Sequence, residues 1–92
     1  MNKRARIFFS GSVQGVGFRY AASNVARLFH VTGWVRNCSD GRVETVVEGT
    51  ESEVEKFVAA VEDEMSGYVS AKTITWEPAS GEWNSFTIAV TQ

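Results

Sequence analysis

From Arg4 to Ser10 the chain alternates, with Ala5, Ile7 and Phe9 on one side and Arg6 and Phe8 on the other. A period of two predicts a strand with one buried face. From Arg19 to His30 the period lengthens. Ala22, Val25 or Ala26, and Phe29 recur at the spacing of a helix with one apolar stripe. Val31 to Cys38 returns to β-branched and aromatic residues, Ser39-Asp40-Gly41 signals a turn, and Arg42 to Glu48 completes a hairpin. Gly49 is expected to stop that strand. Thr50 with Glu53 fits a capping box. Val54, Phe57, Val58, Val61 and Met65 then mark the buried stripe of a second helix, and Gly67 closes it. Val69 to Trp76 reads as a fourth strand, Pro78 to Gly81 as a turn, and Ser85 to Val90 as a short last strand.

Strand, helix, strand, strand, helix, strand is the order of an α+β fold of the ferredoxin-like, split βαβ (βαββαβ) type. It predicts a sandwich in which one mostly antiparallel sheet carries both helices on one face, with a short extra C-terminal strand. Ninety-two residues fit a single domain spanning 1–92 and suffice for a core. The apolar fraction of 43% agrees. A net charge of −2, with no run of Lys or Arg, argues against nucleic acid or a membrane surface as the main partner. The single cysteine, Cys38, cannot form an internal disulfide. The first residues hold too short an apolar run for a signal segment, so a cytoplasmic protein is expected, and a monomer.

The candidate chemistry lies between the first strand and the first helix, in Ser10-Gly11-Ser12-Val13-Gln14-Gly15-Val16-Gly17-Phe18-Arg19. Glycines let a backbone turn tightly and approach a ligand closely. A loop opening a helix can aim several N–H groups at one point, where the helix terminus also favours negative charge. Arg19 adds a permanent planar donor suited to phosphate. Three other motifs fail. No Gly-Lys occurs, so there is no P-loop. Tyr20 stands where a dinucleotide fingerprint needs its third glycine. The faint echo of an RNA-recognition strand falls at a helix start and lacks its leading basic residue. By spacing alone, a plain structural turn is an equal reading. Asn37, at the end of a strand and sharing the parity of Gly33 and Val35, reads on its own as a residue that ends the strand and caps the turn.

Taken together, the two stretches are more specific. Val13-Gln14-Gly15-Val16-Gly17-Phe18-Arg19, followed by Gly33-Trp34-Val35-Arg36-Asn37 and Asp40-Gly41-Arg42-Val43-Glu44, resembles the acylphosphatase family over nearly the whole chain. The resemblance implies the ferredoxin-like fold and hydrolysis of a small-molecule acyl phosphate to carboxylate and phosphate. It implies that Arg19 binds the phosphoryl group, that Asn37 positions the attacking water, and that the amides of Gln14, Gly15, Val16, Gly17 and Phe18 cradle the phosphoryl oxygens. No metal and no cofactor is implied. Inorganic phosphate or sulfate is expected to occupy the same site. The site so described grips the phosphoryl end and leaves the acyl end unspecified.

The remaining residues read as structural. His30 is expected at the first helix's C-terminus, where its charge suits the dipole. Cys38 lacks a histidine partner nearby in sequence and reads as a packed or half-exposed thiol, whose oxidation would be a route to lost activity. Trp34, Trp76 and Trp83 read as packing residues. The alternative to a hydrolase is a non-catalytic phosphate- or anion-binding regulatory module on the same fold. The presence of Asn37 beside Arg19 favours the hydrolase, because a phosphate binder needs only the arginine.

Overall fold

In a computed structural model describing residues 1–92, the chain forms β1 (Asn2–Gly11), α1 (Phe18–Ala26), β2 (Thr32–Asn37), β3 (Val43–Thr50), α2 (Glu51–Glu64), β4 (Val69–Pro78) and β5 (Phe86–Ile88). The five strands form one sheet in the order β4-β1-β3-β2-β5. Only the β2–β5 pair is parallel. The split βαβ architecture expected from patterning is therefore present, with β5 as the extra strand.

Register decides which residues share a face. Across β1, β3 and β2 the rows are Ala5–Val47–Gly33, Ile7–Thr45–Val35 and Phe9–Val43–Asn37. These rows meet the apolar stripes of both helices, and Ala22, Val25 and Ala26 of α1 join Val54, Phe57, Val58 and Val61 of α2 in one core. Asn37 thus lies on the helix-covered face, at the end of its strand.

Three local expectations are refined. α1 ends at Ala26, and residues 27–30 are turns, so His30 lies beyond the helix rather than at its terminus. Gly49 sits inside β3 and does not stop it. Its lack of a side chain has another cause: the His30 carbonyl passes 2.7 Å from where a Cβ would be. Thr50 caps α2 by accepting from the Glu53 N–H at 3.2 Å. The reciprocal half of the box is absent, because the Glu53 carboxylate accepts from the His30 N–H at 2.9 Å. That hydrogen bond holds the Glu53 carboxyl below the usual range and ties the start of α2 to the α1–β2 connection.

The other face of the sheet carries charge that is buried. Glu44 and Glu48 of β3 are each only 3% exposed. Glu44 accepts from Arg6 at 2.5 Å and from Arg36 at 2.8 Å. Arg4 donates to Glu48 at 2.8 Å and stacks on Trp83, 4.7 Å from the ring centroid. Trp34 lies similarly under Arg36, and Phe8 under Arg42. Basic and aromatic side chains do meet on this face, and Arg4, Arg6, Arg36 and Arg42 all have carboxylate partners.

Glu48 also solves a problem of topology. β4 and β5 lie on opposite edges, so the chain between Pro78 and Phe86 must cross four strand spacings, about 19 Å at ~4.8 Å each. Eight steps of nearly extended chain reach only about 26 Å. The crossing is therefore taut, and the Glu48 carboxylate on the central strand pins it, accepting from the Ser80 N–H at 2.8 Å and the Gly81 N–H at 2.9 Å.

Burial alone would push the Glu48 carboxyl up. The Ser80 and Gly81 N–H groups, with Arg4 and the Ser80 hydroxyl, outweigh it and hold the carboxyl below the usual carboxylate range. Folded Glu48 therefore binds a proton less readily than unfolded Glu48. Its contribution to stability is present above the ordinary glutamate pKa, about 4.3, and is lost as pH falls through the lower folded value. Glu48→Ala, which strands Arg4 and two backbone donors, should cost about 3 kcal/mol in denaturant unfolding at pH 7. Between pH 5 and 3, thermal melts of Glu48→Gln should depend on pH less steeply than those of wild type.

Candidate active site

The chain leaves β1 at Gly11 and enters α1 at Phe18, and the connection is shaped by two glycines. Gly15 (φ 76°) and Gly17 (φ 79°) are left-handed, a region that residues bearing a Cβ occupy only at a cost. Gly17 is also the N-cap of α1 and supplies no side-chain cap. A Ser or Asp at that position would turn its own oxygen onto the first amides of the helix. Glycine leaves them free. The first helical bond runs from the Ala21 N–H to the Gly17 carbonyl, and none of the N–H groups from Gln14 to Tyr20 donates to another backbone group. These donors are the raw material of an anion nest.

Phe18 fixes where the loop ends. Its ring is buried and lies 4.9 Å, centroid to centroid, from Phe9. Phe9 is in the same row as Val43 and Asn37. The next residue after Phe18 is thereby held at the end of the sheet where Asn37 sits. Arg19, Asn37, Gly15, Gly17 and Phe18 line one cavity of about 190 Å³, together with Val13 and Tyr20.

Both polar side chains in that cavity are uncommitted. Arg19 is half-buried and takes part in no ion pair, unlike Arg4, Arg6, Arg36 and Arg42. A cation partly withdrawn from water without a counter-ion favours an incoming anion. The Asn37 side chain makes no hydrogen bond within the chain, and its backbone carbonyl accepts from the Gln92 N–H at 3.1 Å. The reading of Asn37 as merely a cap for the turn is not what the structure shows, since the turn is built by others. The Cys38 N–H donates to the Arg42 carbonyl at 2.8 Å, and Asp40 accepts from the Arg42 N–H at 3.1 Å. That N–H and the Arg42 guanidinium hold the Asp40 carboxyl below its ordinary range.

The other loop residues divide. Val16 packs against the core and does not line the cavity. Gln14 does not line it either, yet its side chain has a role that sequence reasoning missed. Its amide nitrogen donates to the Cys38 carbonyl at 2.7 Å and to the Arg42 carbonyl at 2.9 Å. The loop carrying the free amides is thus bolted to the turn that follows Asn37. Nothing in the sequence signals this, because the partners are backbone atoms over twenty residues away.

Cys38 is buried. Burial pushes its thiol up, and Glu44 and Asp40 add to the effect. A protonated, enclosed thiol is a poor nucleophile, which weakens the expectation that oxidation there is an easy route to inactivation.

A split-βαβ sandwich whose first strand-to-helix loop opens on a cationic cavity is the class of protein that fold and site define. Residues 5–88 match the family model described as Acylphosphatase, and the chain belongs to the acylphosphatase family. It is 48% identical over 86 residues to an acylphosphatase of Roseiflexus sp. (strain RS-1), covering 92% of each chain. It is 44% identical to one from Chloroflexus aurantiacus, covering 92% of this chain and 94% of that one. Among solved structures it is similar to the crystal structure of acylphosphatase from Bacillus subtilis, with a TM-score of 0.87 at 36% identity, over 95% of this chain and 98% of that one.

Two consequences can be measured. Gln14→Ala removes an exposed double anchor and should lower stability by about 1 kcal/mol, a drop of ~4–8 °C in Tm by thermal denaturation. Iodoacetamide should alkylate Cys38 at neutral pH far more slowly in the native protein than in the denatured chain, as followed by intact mass.

Proposed function

We propose that the chain is a metal-independent acylphosphatase that hydrolyses the carboxyl–phosphate bond of a small-molecule acyl phosphate. The observation that carries the reading is Arg19. It is a half-buried cation without a carboxylate partner, sharing one cavity with Asn37 and lying beside unpaired loop amides. Family membership supports the same conclusion. In this reading residues 1–92 act as one domain, working as a monomer in the cytoplasm. No helix is long and apolar enough to cross a membrane.

The chemistry follows from what the residues can do. The loop amides from Gln14 to Phe18, with Gly15, Gly17 and Phe18 at the cavity wall and Gln14 and Val16 behind them, and the Arg19 guanidinium take the non-bridging phosphoryl oxygens, whose charge must be stabilised as the acyl oxygen departs. Asn37 orients a water for in-line attack. Its amide has no useful basicity, so it positions and does not deprotonate. A bond forms from the water oxygen to phosphorus. The bond from phosphorus to the acyl oxygen breaks, and its electron pair leaves with the carboxylate. The water proton passes to a phosphoryl oxygen, giving inorganic phosphate. A carboxylate is stable as an anion, so no general acid is required, and no metal is needed where Arg19 and the amides supply the positive potential. Phosphate, the product, and sulfate, its analogue, would rest in the same cradle.

Benzoyl phosphate hydrolysis, followed by ultraviolet absorbance with EDTA present, tests this. Wild type should turn over. Arg19→Ala should lose about 10²–10³ in kcat/KM and bind inorganic phosphate more weakly. Asn37→Ala should lose about 10² or more in kcat while still being inhibited by phosphate. Nearly full activity in Asn37→Ala would remove the water-positioning role. Phosphate binding through Arg19 without any wild-type turnover would favour the regulatory anion-binding module instead.

A further inference from the structure

The residues that line the cavity leave one surface unassigned. Val13 and Phe18 are buried, Gly15 and Gly17 have no side chains, and Arg19 and Asn37 have proposed roles. Tyr20 remains. It is 73% exposed, its hydroxyl has no hydrogen-bond partner within the chain, and it follows Arg19 in the first turn of α1. A large aromatic ring left in water on a rigid helix end, at the wall of the reacting cavity, has no packing role to explain it.

We propose that Tyr20 is the specificity-determining residue for the acyl end of the substrate. This rests on the acylphosphatase reading and extends it to the part of the substrate which that reading leaves undefined. In-line displacement puts the leaving carboxylate on the side of phosphorus away from the attacking water, so the acyl group extends away from Asn37 and out of the phosphoryl cradle. The only exposed apolar surface among the lining residues is the Tyr20 ring. A flat or aromatic acyl group can lie against it, by offset stacking or edge to face. The single methyl of an acetyl group gains little from such a surface. An acyl group carrying a second negative charge gains nothing either, because the cavity wall holds one cation, Arg19, and the phosphoryl group occupies it. The preferred class is therefore an acyl phosphate with a neutral, flat acyl group, ahead of acetyl phosphate and ahead of acyl phosphates bearing a second anion.

The test compares benzoyl, acetyl and succinyl phosphate with wild type, Tyr20→Phe and Tyr20→Ala, and uses inorganic phosphate as a competitive inhibitor that lacks an acyl group. Wild type should favour benzoyl phosphate. In Tyr20→Ala the benzoyl-to-acetyl ratio of kcat/KM should fall by about fivefold, carried by KM. Tyr20→Phe should restore the ratio, and phosphate should inhibit all three proteins alike. A parallel loss on every substrate together with weaker phosphate inhibition would make Tyr20 a support for Arg19, overturning the inference. An unchanged ratio, or a wild type that prefers succinyl phosphate, would overturn it as well. Those outcomes leave turnover intact, whereas a wild type inert toward all three substrates would overturn the hydrolase reading itself.

Discussion

Phe18 and Phe9 meet ring to ring at 4.9 Å, and the geometry of the cavity follows from that contact. Phe9 belongs to the last row of the helix-covered face, with Val43 and Asn37. Phe18 is the first residue of α1. Burying these two rings against each other joins the start of a helix to the end of a sheet row, with a strength typical of core aromatics. The glycine loop is the only path left for the chain between them, and Arg19 has nowhere to go but the neighbourhood of Asn37. Hydrophobic packing, which is insensitive to the ligand, thus brings to one cavity two polar groups that share no hydrogen bond with one another.

The sheet separates two uses of arginine. On the face away from the helices, Arg4, Arg6 and Arg36 are locked to Glu44, Glu48 and Glu77, and aromatic rings lie under two of them. These arginines neutralise the carboxylates that β3 buries and hold the taut crossing from β4 to β5. Such buried pairs are costly to break on one side, which makes them a structural lattice and leaves little free charge for a partner. On the other face, Arg19 stands without a carboxylate. The same residue type is inert in one place and available in the other, and the difference lies in what the tertiary structure sets beside it.

Local signals carried far. The alternation in Ala5, Ile7 and Phe9, the stripe from Val54 to Met65 and the turn at Ser39-Asp40-Gly41 all reflect periods and backbone preferences that act over a few residues, and each element appears where those signals lie. A tight turn at Gly15 and Gly17 was legible for the same reason, and the structure adds that both are left-handed. Boundaries were less so. Phe29 extends the apolar period of α1 in the sequence, yet the helix stops at Ala26, because Val31 and Gly49 draw the chain into close contact with β3. Glu53 was legible as half of a capping box and instead reaches His30.

The sequence by itself determined the order of elements, the fold class and the glycine loop opening a helix, since turn signals and periodicity are written in neighbouring residues, and its resemblance to a family marked Arg19 and Asn37 as the candidate pair. Only the tertiary structure decided that Arg19 lacks a counter-ion, that Gln14 bolts the loop to the turn after Asn37, that Glu48 pins the crossing chain, and that Tyr20 is left bare at the cavity. Each of these depends on which atoms from distant segments meet, and pairing across a sheet brings together residues whose separation along the chain carries no local trace.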